Sequence, residues 1–193
     1  MKQIFIAGIA VLVVCLSACG SSDVREYEKL VDRELASNKR YDSIFLGIYL
    51  GMPSKDFYQH CWDLNKQGLI TNGSENASVL WKMKEGFSHP VDINFYPAFN
   101  DKRIFKMTTG FNYEGWAPWN KHLGSDSLKN EVLRLYKKWY GESNFVELKD
   151  SVRGSIYVKV DGNRRITIGR YDDVHIKVDY TDLLIEKQLK GKK

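Results

Sequence analysis

Ile4 to Leu16 form an almost unbroken apolar run behind a single positive charge, Lys2. No other feature constrains the chain as much, because it separates a segment that leaves from a segment that must fold. The run is too short to span a bilayer as a finished helix, which takes about 20 residues. A charged start, an apolar middle and the small-residue end Leu16-Ser17-Ala18-Cys19 make the pattern of a secretory leader, and residues 1–18 are expected to be removed. No later apolar run approaches spanning length, so the remainder is expected to be soluble.

Leu16-Ser17-Ala18-Cys19, followed by Gly20, resembles the lipobox of bacterial lipoproteins. The resemblance implies cleavage before Cys19 and acylation of its thiol, with palmitate among the chains. Each buried methylene contributes about 0.8 kcal/mol, and stable anchoring takes more than one chain. The implied partner is therefore a membrane, reached through lipid on Cys19. The implied location is the cell envelope, on the outer membrane, with the periplasmic or surface face left open. Of the three cysteines, Cys15 departs with the leader and Cys19 takes the lipid. Cys61 is then alone, so no internal disulfide can form although an exported protein could carry one.

The 193 residues carry a formal charge of +5, and loss of Lys2 leaves +4. Basic and acidic residues alternate along the chain, apart from the Lys187–Lys193 tail. No basic stripe of the kind that binds nucleic acid is present, and no nucleic-acid partner is expected. About 170 residues are enough to bury a real core, as one domain or two small halves.

Behind a polar spacer, Val24 to Asn38 places Tyr27, Leu30, Val31 and Leu35 at helical spacing. It reads as a short exposed helix, a tether over 19–40 that lifts a globular domain, 41–193, from the membrane. Ile44 to Met52 enters the core through turns at Gly47 and Gly51. Pro53 opens an amphipathic helix over Lys55–Gln67 carrying Phe57, Tyr58, Cys61, Trp62 and Leu64, and Gly68 stands where a helix ends. Three alternating segments follow: Val79–Lys84, Val91–Tyr96 and Lys102–Phe111, the last with Arg103, Phe105, Met107 and Thr109 on one face. Asn112–His122 breaks the pattern and is the expected seam between halves 41–115 and 116–193.

Ser125–Tyr140 is the clearest helix, with Leu128, Val132, Leu135, Tyr136 and Trp139 in one stripe and Ser125 or Asp126 as its cap. Three strand patterns follow. Ser155–Val160 directs Ile156, Val158 and Val160 inward; a turn at Asp161-Gly162-Asn163 leads to Arg165–Arg170; and Val174, Ile176 and Val178 share an inner face. Thr181–Leu189 reads as a final helical turn or two. The expected fold is α+β: a helix followed by an antiparallel meander of three to four strands, arranged twice, behind the tether helix. This order resembles the tandem helix-plus-sheet unit of the beta-lactamase-inhibitor-protein-like fold. The stretch Phe45–Leu69 also looks like an opening found in Bacteroidetes lipoproteins. Asp42-Ser43-Ile44, Asp126-Ser127-Leu128 and Asp150-Ser151-Val152 match the O-glycosylation pattern of exported Bacteroidetes proteins, and Asp and Ser are equally ordinary turn and cap residues.

His60, Cys61 and Asp63 form the tightest polar cluster, the residue types of a nucleophilic site. Adjacent helical residues point about 100° apart, however, and Cys61 shares the apolar face of Phe57 and Leu64, so a buried, inert thiol is expected. His60, His89, His122 and His175 lack metal-type spacing, and no metal or cofactor is expected. Two surfaces are candidates for binding. Tyr113, Trp116 and Trp119 either plug the seam or form a platform for a sugar ring or a protein. By alternation, Tyr157, Lys159, Arg165, Thr167, His175 and Lys177 make a basic outer sheet face, or an ordinary solvated one. The expected function is that of a lipid-anchored, non-catalytic protein-binding module of the cell envelope. The alternatives are a glycan-binding surface lipoprotein and, behind both, an enzyme using Cys61 or a histidine.

Overall fold

A computed structural model describes residues 22–73, 78–141, 145–150 and 154–191. The leader, Cys19, Ser151 and Val152 lie outside the described residues. In chain order the elements are α1 (Ser22–Ala36), α2 (Ser54–Lys66), β1 (Thr71–Asn72), β2 (Val79–Met83), β3 (Val91–Asn100), β4 (Arg103–Tyr113), α3 (Ser125–Tyr140), β5 (Phe145–Asp150), β6 (Gly154–Asp161), β7 (Arg164–Arg170), β8 (Ile176–Asp182) and α4 (Leu183–Lys190). The fold is α+β: four helices against one eight-stranded sheet of order β1-β2-β3-β4-β8-β7-β6-β5, antiparallel throughout.

The main core lies on one sheet face. The apolar stripe of α3 seats Leu128, Val132, Leu135 and Tyr136 against Met107, Phe111, Ile166, Ile168, Ile176 and Val178, all buried. Ile44–Met52 and Phe57 of α2 complete this layer. Burying side chains of this size contributes about 1.5–3 kcal/mol apiece. Three tyrosines of this core, Tyr136, Tyr140 and Tyr180, are joined through their hydroxyls. Tyr180 donates to Tyr136 at 2.8 Å, Tyr140 lies 3.1 Å from Tyr180, and Tyr140 donates to the Ile44 carbonyl. A buried hydroxyl without a partner is costly, and each of these three has one.

A smaller core lies on the opposite face, where Leu30 of α1 packs with Val158, Val160 and Leu183. The stripe Tyr27, Leu30, Val31 and Leu35 is thus present, but it lies on the sheet instead of facing solvent as a free tether. This second covering changes the reading of β6. The register pairs Tyr157 with Ile168, Lys159 with Ile166 and Val160 with Arg165. Val158 and Val160 therefore face α1, while Tyr157 and Lys159 share the main-core face with Ile166 and Ile168. The expectation that Ile156, Val158 and Val160 point the same way as Ile166 and Ile168 is incorrect, because β6 is covered on both sides.

The chain between α1 and the core is pinned by buried polar groups at the β6–β7 turn. Asn163 accepts from the Tyr41 N–H at 2.7 Å and donates to Asp42 at 3.0 Å and Asp182 at 3.3 Å. Arg164 donates to the Ser43 carbonyl at 2.6 Å and to Asp161 at 2.8 Å, and stacks on Tyr140. Asp182 caps α4 through the Leu184 and Ile185 N–H groups and meets Arg40 at 3.1 Å.

Other expectations shift locally. β5 and the two-residue β1 were not foreseen. α3 begins at Gly124 without a side-chain cap; the Ser125 N–H donates to the Asp173 carbonyl instead. In β4 a bulge opposite Ala98/Phe99 changes the phase, so Ile104 and Met107 point inward while Arg103 is exposed. β4 and β8 pair from Lys106–Thr181 to Phe111–Ile176, above one continuous core.

Candidate functional site

Of the nine residues singled out for binding, Thr167 is half-buried on β7, and the other eight separate into more buried and more exposed sets. Tyr113 is 1 % exposed at the end of β4, and burial pushes its hydroxyl pKa up to about 12. Tyr157 packs on the main core. Lys159 is 2 % exposed and pairs with Asp161 at 3.0 Å beside the Phe145 ring. Arg165 lies between α1 and α4, donating to the Tyr27 hydroxyl at 3.1 Å and to Glu186 at 2.8 Å. Tyr113 and Lys159 are buried, and Tyr157 and Arg165 are partly buried. The expected basic sheet face is therefore divided: Tyr157 and Lys159 turn to the main core, Arg165 lies between α1 and α4, and Lys177 stays on the open part of the face.

The other four remain accessible, and they gather at one end of the sheet. Trp119 is 82 % exposed and Trp116 is 37 % exposed, both on the loop between β4 and α3. His175 and Lys177 lie at the start of β8, beside the β7–β8 turn. Tyr171 in that turn is 65 % exposed and belongs with them. It was not singled out from the sequence, where a lone tyrosine between Arg170 and Asp172 gives no periodic signal.

The turn is held by Asp172. Its Oδ1 accepts from the backbone N–H groups of Val174 at 2.8 Å and His175 at 2.7 Å, and the His175 ring nitrogen approaches to 2.9 Å. Desolvation pushes this carboxyl pKa up, but the two N–H groups and the imidazole outweigh it and hold the pKa below the usual value. On its other side the turn is tied to α3: Arg170 bonds Asp173 and lies 3.6 Å from Asp126. Tyr171 and His175 are thereby presented on an ordered turn.

Two depressions flank it. One, of about 460 Å³, is lined by Trp116, Pro118, Lys121, Asp126, Arg170 and Asp173. The other, of about 380 Å³, lies on the open sheet face among Thr108, Gly110, Tyr171, His175 and Lys177. Its floor follows from sequence. Gly110 and Gly169 stand directly across from Lys177 on either side, so that row of the sheet lacks side chains around the lysine. A glycine within a strand marks a place where something can approach the backbone closely. Lys177 and Lys106 both lie 3.4 Å from Asp179, which also accepts from Thr108 at 2.7 Å. Two ammonium groups thus share one carboxylate, and the face keeps a net positive charge beside its aromatic rings.

The His60–Cys61–Asp63 cluster does not assemble. His60 Nε2 donates to the Leu46 carbonyl at 2.6 Å, bracing the Ile44–Met52 turn, and Asp63 accepts from Gln59. Cys61 is half-buried on the core side, and burial pushes its thiol pKa up to about 11. The thiolate is the reactive form. Alkylation of the native protein at pH 8 is thus expected to be slow at Cys61 and to accelerate at least tenfold, roughly, in denaturant; equal rates read by mass spectrometry would contradict this. Among the described residues, no group of three or more histidine, cysteine, aspartate or glutamate side chains is arranged to hold a metal ion. No described helix is long and apolar enough to cross a membrane. Ser43 and Ser127 of the Asp-Ser-apolar motifs are exposed.

Comparison with protein-family models, with curated proteins and with solved structures finds no match to this chain. Its function is therefore argued from the site alone. That site offers two tryptophans, a tyrosine, an imidazole and an ammonium group on ordered backbone. Such a surface can bury planar apolar area while offering polar groups at its rim.

Proposed function

We propose that this chain is a lipid-anchored module of a bacterial cell envelope that binds a protein partner without catalysis, through the end of the sheet formed by Trp116, Trp119 and Tyr171. The anchor reading rests on Leu16-Ser17-Ala18-Cys19, with residues 1–18 as leader. The binding reading is carried by one observation: Trp116 and Trp119 are exposed on the β4–α3 loop and Tyr171 on the β7–β8 turn, and a depression lined by Trp116, Arg170 and Asp173 lies between that loop and that turn. Tryptophan and tyrosine dominate the energetics of protein interfaces because they bury large area with few rotatable bonds.

In the same reading the architecture consists of two units, α2 with β1–β4 and α3 with β5–β8, joined edge to edge. The sheet order, which runs outward from β4 and β8 in both directions, supports it. That arrangement resembles the beta-lactamase-inhibitor-protein-like fold.

Glycan binding is the second reading, favoured by the depression beside Trp116, which combines an aromatic ring with Asp126, Arg170 and Asp173. Sugars are recognised by such pairings of a flat apolar face with charged hydrogen-bonding groups.

A photo-crosslinking amino acid at position 119 of the full chain, expressed in its host, separates these outcomes. A discrete protein adduct in the membrane fraction is expected, weakened by Tyr171→Ala and lost from that fraction in Cys19→Ala. Adducts to polysaccharide alone would support the second reading, and no adduct to either would overturn both.

A further inference from the structure

We infer that β5 is a self-pairing edge, through which two copies of this chain join their sheets into one. Among the described residues β5 is the terminal strand of the sheet, and its six residues Phe145–Asp150 pair only with β6. The other terminal strand, β1, has two residues and offers little to extend. A cleft of about 640 Å³ lies between α1 and Phe145, Val146 and Glu147, while Val146 and Leu148 pack on the α1 side, so the helix covers one face of β5. An outer strand with unpaired backbone groups is a template for another strand.

The side chains select both the occupant and the register. Antiparallel pairing of two β5 strands about a two-fold axis normal to the sheet keeps each face continuous. A one-residue slip would exchange the faces, so the axis must pass through a residue and not between two. Through Glu147 it sets glutamate against glutamate, and through Lys149 lysine against lysine. Through Leu148 it sets Glu147 of each copy opposite Lys149 of the other, twice, with the two leucines opposed. Glu147 and Lys149 are exposed and share one face, whereas Leu148 faces the side packed by α1. Opposite charges directly across a strand pair attract, and like charges repel. The edge is therefore complementary to itself in one register, and both α1 helices then lie on the same face of a continuous sheet.

Sedimentation of the full chain in detergent micelles tests this. The wild type is expected to form dimers. Lys149→Glu sets glutamate against glutamate and Glu147→Lys sets lysine against lysine, and each is expected to weaken the dimer about tenfold or more. An equimolar mixture of the two variants restores both charge pairs and is expected to recover the dimer as a heterodimer. Both sites are exposed, so the thermal transition serves as a check on folding. A monomeric wild type, a dimer indifferent to Lys149→Glu, or a mixture that stays monomeric would each overturn the proposal.

Discussion

Gly162→Ala is expected to be the most damaging single-methyl addition in the chain. Gly162 has φ +51°, and a Cβ there would stand 2.2 Å from the Lys39 carbonyl oxygen and 3.1 Å from the Tyr41 ring. The left-handed conformation alone costs a non-glycine residue about 1–2 kcal/mol. The clash adds to that, because the atom in the way is backbone, and moving it would disturb the Tyr41–Asn163 and Arg164–Ser43 hydrogen bonds. A loss of about 3 kcal/mol or more follows. For a chain of this size that lowers the thermal midpoint by roughly 6–12 °C. Gly68→Ala supplies the comparison. Its φ is +71°, but a Cβ there meets nothing within 4 Å, so only the conformational cost of about 1–2 kcal/mol applies. Circular dichroism melts of the two variants check the difference; equal midpoints would show that the contact between Lys39 and the β6–β7 turn is not part of the fold.

Asp182→Ala should come next. The carboxylate is buried, caps α4 through two backbone N–H groups and accepts from Arg40 and Asn163. Losing an N-cap costs about 1 kcal/mol. Leaving the buried Asn163 amide short of an acceptor costs about 1–3 kcal/mol more. Arg40 is half-exposed, so water compensates most of its loss. Denaturant unfolding is therefore expected to lose about 3 kcal/mol in total. Asp182→Asn keeps one side-chain oxygen for the cap and should recover a good part of this loss, since asparagine caps about as well as aspartate. If Asp182→Asn is as damaging as Asp182→Ala, the charge and not the cap would be what α4 depends on.

The legibility of this fold in its sequence followed how many faces of each element are covered. α3 was readable to the residue because it is buried on one side only, so its stripe stands out against lysines and glutamate. β8 was readable for the same reason, with Ile176 and Val178 against Lys177 and Asp179. β6 was found but read with the wrong phase. Ile156, Val158 and Val160 suggest an inner face, yet Tyr157 and Lys159 face the larger core and the valines face α1. Alternation cannot assign faces where both are covered, and the element covering the second face lies more than 120 residues earlier in the chain. β5 was overlooked although Val146 and Leu148 alternate with Glu147 and Lys149, because the pattern is only six residues long. These two misses account for the site as well. Once β6 is turned over and β5 and α1 are added, Lys159 and Arg165 become internal ion-pair partners. Trp116 and Trp119 remained accessible because they sit on a loop that no strand or helix phase governs. Tyr171 could not be read at all, because only the Asp172-centred turn presents it.

The position of β8 bears on how the molecule can assemble. It pairs with β4 on one side and β7 on the other, and it supplies Tyr180 to the hydroxyl chain at the centre of the core. Until residues 176–182 have been synthesised, β4 has an unpaired edge and Met107 and Phe111 lack their final cover. The first half of the chain therefore cannot reach its native state ahead of the second. An intermediate stopped before Ile176 would leave the β4 edge open along the six residues Lys106–Phe111, a template for pairing with another strand until β8 is available.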